Sequence, residues 1–126
     1  MKLVQDDGND WPCTGSIVIG SGTIDSDVSL SLSCADGSTI GFSGLGWGLM
    51  FGVAGPHSGS GDFYRDPNTI DGDGWRWECN AVSVGGGYAQ FSAWDSEGNK
   101  VLDFAAPVGG VIAGACGSTS DGTFSH

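Results

Sequence analysis

The chain repeats itself. Moved along by sixty-one residues, its first half falls on its second: Val28, Leu30 and Leu32 land on Ala89, Phe91 and Ala93, and Ile40 lands on Val101. The turn Ala35-Asp36-Gly37-Ser38 lands on Ser96-Glu97-Gly98-Asn99. One extra residue in the second half moves the offset to sixty-two, and Gly48, Gly52 and Gly55 then meet Gly110, Gly114 and Gly117. Both glycine-rich stretches run on to a polar turn and a phenylalanine, Phe63 and Phe124. The 126 residues fit one compact domain, so the unit is built only twice. Two units are too few for a solenoid, where each repeat buries its face on the next.

The period inside the unit is two. Val28, Leu30 and Leu32 alternate with Ser29, Ser31 and Ser33, which puts one face in a core and the other in water. Strands are predicted over 16–24, 28–33, around Ile40 and Phe42, and over 46–54, with a turn at Asp25-Ser26-Asp27 and an Asp-Gly hairpin turn at Asp36-Gly37. Residues 55–61 read as a polar loop and 62–65 as a short strand. Asp66-Pro67-Asn68 and Asp71-Gly72-Asp73-Gly74 read as turns, with room for a single helical turn between them. Strands then follow over 75–84, 88–95, 100–106 and 108–116. No segment has helical spacing, and 24 glycines argue against long helices.

A four-stranded unit has two bare edges, and two such units remove them by closing on each other. The expected fold is all-β: an eight-stranded antiparallel closed β-barrel built from two similar four-stranded Greek-key-like halves, about 15–63 and 74–124. Residues 1–14 read as a polar N-terminal tail, tied down by Trp11 and Cys13, and 15–126 as the single domain.

Charge narrows the function. The net charge is −11, with Lys2, Arg65, Arg76 and Lys100 the only basic residues. That excludes nucleic acid, whose phosphates need a basic face, and disfavours simple docking on anionic lipid. Cys13, Cys34, Cys79 and Cys116 form no C-x-x-C pair and there are only two histidines, so a zinc site is not expected. An even number of cysteines in a small domain reads as two disulfides and a secreted protein, with all three pairings open; four buried free thiols are the alternative. No apolar leader follows Met1-Lys2-Leu3, so the chain reads as a mature form with an added Met.

Candidate chemistry is sparse. A triad built on His57 in Gly55-Pro56-His57-Ser58-Gly59-Ser60 lacks the strand-turn-helix setting that exposes a nucleophile. Asp71-Gly72-Asp73-Gly74 with Asp62 and Asp66 offers oxygens for Ca²⁺, but Val82 stands where the EF-hand template needs Glu. Glu78 and Glu97 are the only glutamates available as a hydrolytic pair with each other. No enzyme, metal or cofactor is expected. On one strand Trp75 and Trp77 share a face with Cys79 and Ala81, while Arg76, Glu78 and Asn80 take the other. If the tryptophan face is outward, Trp75, Trp77, Tyr64 and Trp47, joined by Trp94 and Tyr88, make an aromatic shelf for a sugar ring or a partner.

The second half, F-S-A-W-D-S-E-G-N-K-V-L-D-F over 91–104 followed by the glycine-rich strand over 108–117, resembles the carboxy-terminal part of the virulence-associated (Vap) proteins of actinobacterial intracellular pathogens. The resemblance implies a secreted eight-stranded barrel of two similar halves, acting on host compartments or membranes. The four cysteines depart from that family's pattern. The expected function is thus a secreted, non-enzymatic binding or effector domain, monomeric, with a host membrane, protein or glycan as partner. The alternative is a carbohydrate- or small-ligand-binding module. A sequence pI of about 4.1 lowers self-repulsion in an acidified compartment, so the fold is expected to persist near about pH 4.5.

Overall fold

The computed structural model describes residues 10–21, 25–51, 54–108 and 111–126. Among the described residues there are eight strands: β1 (Trp11–Ser21), β2 (Asp25–Cys34), β3 (Thr39–Phe51), β4 (Ala54–Phe63), β5 (Gly72–Val84), β6 (Gly87–Trp94), β7 (Lys100–Val108) and β8 (Val111–Ser125). All neighbours run antiparallel, and the sheet closes in the order β1-β2-β3-β8-β5-β6-β7-β4. Between β4 and β5 lies one turn of 3-10 helix, Pro67–Thr69, whose Asp66 carboxylate accepts the Asn68 N–H at 3.0 Å.

The order contains the repeat. The first half is arranged β4-β1-β2-β3 and the second β8-β5-β6-β7, each a Greek key. The halves join along β3–β8 and β4–β7, which leaves no open edge. The correspondence reaches single hydrogen bonds. Cys34 N–H bonds Ser38 O and Gly37 N–H bonds Cys34 O, while Asp95 N–H bonds Asn99 O and Gly98 N–H bonds Asp95 O. Gly37 and Gly98 occupy matching positive φ of 94° and 85°, as a three-residue hairpin loop requires. The two closing phenylalanines, Phe63 and Phe124, meet in the core with ring centroids 6.2 Å apart.

Side chains fill the interior. β2 alternates exposed and buried along its whole length. Phe42 packs edge-on against Phe91 and Phe124 at 4.8 Å each, and Trp77 stacks on Phe91 at 6.1 Å. A Cβ at Gly44 would lie 2.5 Å from the Trp77 ring, so the glycine makes room for the indole.

Several boundaries differ from the sequence reading. The barrel starts at Trp11, inside the expected tail, because Cys13 is buried in the β1–β2 pair. Residues 1–9 of that tail, 22–24 of the first expected strand, and Gly52 and Gly110 of the repeat lie outside the described residues. Asp25-Ser26-Asp27 begins β2 rather than turning. Of the separate strand expected over 46–54, residues 46–51 are instead the far end of a long β3, Ala54 opens β4, and 52–53 lie outside the described residues. The expected loop over 55–61 is most of β4, and its glycines have a packing cause. A Cβ at Gly61 would sit 2.0 Å from the Asp103 carbonyl oxygen, so only glycine lets β4 lie this close to β7. All four cysteines are buried free thiols, so the two expected disulfides are not bonds here.

Candidate functional site

The expected aromatic shelf separates. Trp77 is fully buried, and Trp75 packs against the core, edge-on to Phe124 at 5.3 Å, with its N–H donated to Asp71 O at 3.3 Å. The tryptophan face of β5 is therefore the inward face, and these two residues form no outer shelf. Tyr64 is partly exposed but follows β4, where its hydroxyl donates to Asp103 at 2.9 Å. Tyr88 is exposed opposite Val82, near the β5–β6 turn. Trp47, on β3, is the most exposed of these, with 69% of its surface in solvent.

Trp47 forms one wall of a surface groove of about 700 Å³ along β3, β8 and β5. Register explains the groove. Trp47 lies opposite Gly117 on β8, and Gly117 lies opposite Glu78 on β5, so a residue without a side chain sits between two that have one. A Cβ on Gly117 would come within 2.4 Å of the Trp77 carbonyl oxygen, which ties the groove floor to tight β5–β8 packing. Arg76, Glu78 and Asn80 supply the opposite wall, with Ser118 and Thr119 at the β8 end. Arg76 is held on two sides. Its guanidinium bonds Glu78 at 2.9 Å and lies 4.3 Å from the centroid of the Trp94 ring, a favourable cation–π distance. The groove thus offers an aromatic plane beside fixed charged and polar groups. That composition suits a ligand or partner with both an apolar face and hydroxyl or amide groups.

A second polar cluster crosses β4, β7 and β6. Asp103 accepts from Ser92 at 2.6 Å and from Tyr64, and pairs with Lys100 at 3.2 Å. Burial works against its charge, but the bonds from Ser92, Tyr64 and Lys100 prevail and hold its carboxyl below the usual range. Burial, followed by the bond to that carboxylate, pushes the Tyr64 hydroxyl upward. Every polar atom of Asp103 is thereby engaged in holding strands together.

The catalytic candidates do not assemble. His57 lies within β4, opposite Ile17, with its Nε2 buried and without a hydrogen-bond partner. Ser58 and Ser60 are exposed on the other face of the strand, so neither can share a proton with it. Asp73 accepts from Thr123 at 2.9 Å, which stitches β5 to β8. Glu78 lies in mid-strand and Glu97 in the β6–β7 turn. Alternation along the sequence sets Arg76, Glu78 and Asn80 on one face of a strand but does not say which face is outward. Ser118 and Thr119 carried no signal beyond ordinary β composition.

No family model and no curated protein matches the chain. Solved structures do. The virulence-associated protein VapD from the intracellular pathogen Rhodococcus equi superposes with a TM-score of 0.67 at 17% identity, covering 90% of this chain and 96% of that one. The virulence-associated protein VapB from the same organism gives 0.63 at 18% identity, covering 93% and 96%. The likeness read in the last forty or so residues therefore extends, as a fold, over nearly the whole barrel.

Proposed function

We propose that this chain is a secreted, non-enzymatic effector of the virulence-associated kind, which acts by binding a host component through the groove beside Trp47. The observation that carries this reading is the exposed Trp47 indole facing the pre-organised Arg76–Glu78 pair, on a barrel that superposes on VapD almost end to end. A large aromatic side chain left in water beside an anchored arginine has the composition of an interface hot spot. The net charge of −11 favours a neutral or basic target over anionic lipid. Secretion agrees with the acidic balance.

A carbohydrate ligand is the second reading. Trp47 supplies a plane for a sugar ring, and Glu78, Asn80 and Ser118 supply hydroxyl partners along one edge. The two readings separate in one experiment. Wild-type protein and Trp47→Ala are compared for binding to immobilised neutral oligosaccharides and to a host membrane-protein extract. Retention on the extract alone, lost in the variant, supports the effector reading. Retention on oligosaccharide supports the carbohydrate reading. Equal retention of both proteins removes the groove from either.

A further inference from the structure

We propose that the four cysteines form two cross-strand disulfides, Cys13–Cys34 and Cys79–Cys116, one within each half of the barrel. Composition leaves three pairings open, and register selects among them. Cys13 on β1 lies directly opposite Cys34 on β2, and Cys79 on β5 lies directly opposite Cys116 on β8. Facing residues of an antiparallel pair have Cα atoms about 4.5–5.5 Å apart, inside the 4.4–6.8 Å range that a disulfide spans. For the first pair the position is resolved further. The Ala35 N–H bonds the Pro12 carbonyl, so Cys13 and Cys34 occupy the non-hydrogen-bonded site, where facing side chains come closest.

The two thiols of each pair lie close enough to raise or lower one another's acidity, and all four are at most 7% exposed. The other pairings are too long. In the closed order β2 and β8 are two strands apart, about 10 Å, and β1 and β5 are four apart, while Cys13–Cys116 and Cys34–Cys79 each cross three. None of these can be bridged without moving backbone.

In each bridge two thiols lose two protons and two electrons as the Sγ–Sγ bond forms. A low-molecular-weight disulfide of the oxidised glutathione class accepts them, and its own S–S bond breaks to give two thiols. Burial pushes the Cys13 thiol up to about 12, with neighbouring Cys34 and Asp62 adding to the effect, so exchange in the folded barrel is slow. Oxidation therefore belongs to folding, before the pair is covered. The bridges close β1 onto β2 and β5 onto β8, while the β3–β8 and β4–β7 seams between halves carry none.

The four basic residues make the test direct. The chain is folded in a mixture of reduced and oxidised glutathione, denatured with excess N-ethylmaleimide at mildly acidic pH, and digested with trypsin without reduction. Cleavage after Lys2, Arg65, Arg76 and Lys100 puts Cys13 and Cys34 together in peptide 3–65, Cys79 in 77–100 and Cys116 in 101–126. The expected result is 3–65 alone, lighter by two hydrogens than its reduced form, and 77–100 joined to 101–126. Reduction of the intact oxidised protein should also lower its melting midpoint by about 10 °C or more. Peptide 3–65 joined to both later peptides would mean one of the other pairings, and four alkylated cysteines would mean no bridge; either result overturns the proposal.

Discussion

At the scale of single residues, two tryptophans on one molecule have opposite tasks. Trp77 is buried against Phe42 and Phe91, so Trp77→Ala should cost about 3–5 kcal/mol, measured by urea unfolding. Trp47 projects into solvent, so Trp47→Ala should leave stability within about 0.5 kcal/mol of wild type while removing the groove wall. Composition could not tell them apart. Alternation did group Trp75 with Trp77 and set Arg76, Glu78 and Asn80 against them, but it carries no sign, and only the closed barrel says which set faces inward. The acid response also rests on single residues. Backbone bonds from the Asn99 and Glu97 N–H groups, together with the Arg65 guanidinium, prevail over desolvation and hold the Asp95 carboxyl down at about 2. A carboxyl depressed in the folded state adds stability that is complete above its unfolded value of about 4 and fades as pH falls toward 2. Asp103, also depressed, acts in the same sense. The melting midpoint should therefore hold from pH 7 to about 4.5 and fall below about 4, and Asp95→Asn should flatten that fall. A midpoint that collapses at pH 4.5 would contradict this and count against a role in an acidified compartment.

At the scale of strands, glycine decides where elements begin and end. The hairpins at Gly37 and Gly98 were legible because Asp-Gly and Glu-Gly followed alternating apolar runs. β4 was not, because Gly55-Pro56-His57-Ser58-Gly59-Ser60-Gly61 has the composition of a loop. Its strand character comes from neighbours on β1 and β7, which supply the pairing and the close approach that its own residues do not advertise. The same dependence on neighbours makes Gly117 a test. Gly117→Ala would press a methyl group against the Trp77 carbonyl and force β8 away from β5. The expected cost is about 1–3 kcal/mol in urea unfolding, with weaker binding in the groove above it. A variant as stable as wild type would mean that β8 shifts freely.

At the scale of the whole molecule, the repeat was the most legible property, because matched turns and matched alternation survive where residue identity does not. It required two units and a way to remove their edges, and closure followed. The order β4-β1-β2-β3 within a half was less legible, since it depends on where a long β3 ends and β4 begins. Closure also sets what a half can do alone. Residues 10–63 by themselves would leave β3 and β4 unpaired along one side and strip Phe63 of its contact with Phe124. That fragment should show no cooperative melting transition and should aggregate. A monomeric, cooperatively melting half would mean that the core does not depend on the join.

The central claim is that this acidic barrel works by binding at the groove beside Trp47. The most direct measurement is the equilibrium affinity of wild type and Trp47→Ala for whichever immobilised target, oligosaccharide or host membrane protein, retains the wild type, with both melting midpoints recorded alongside. The expected result is equal midpoints and an affinity about 30-fold weaker in the variant, the loss of one aromatic hot spot of about 2 kcal/mol. Equal affinities for the two proteins would place the binding surface elsewhere on the barrel and contradict the account.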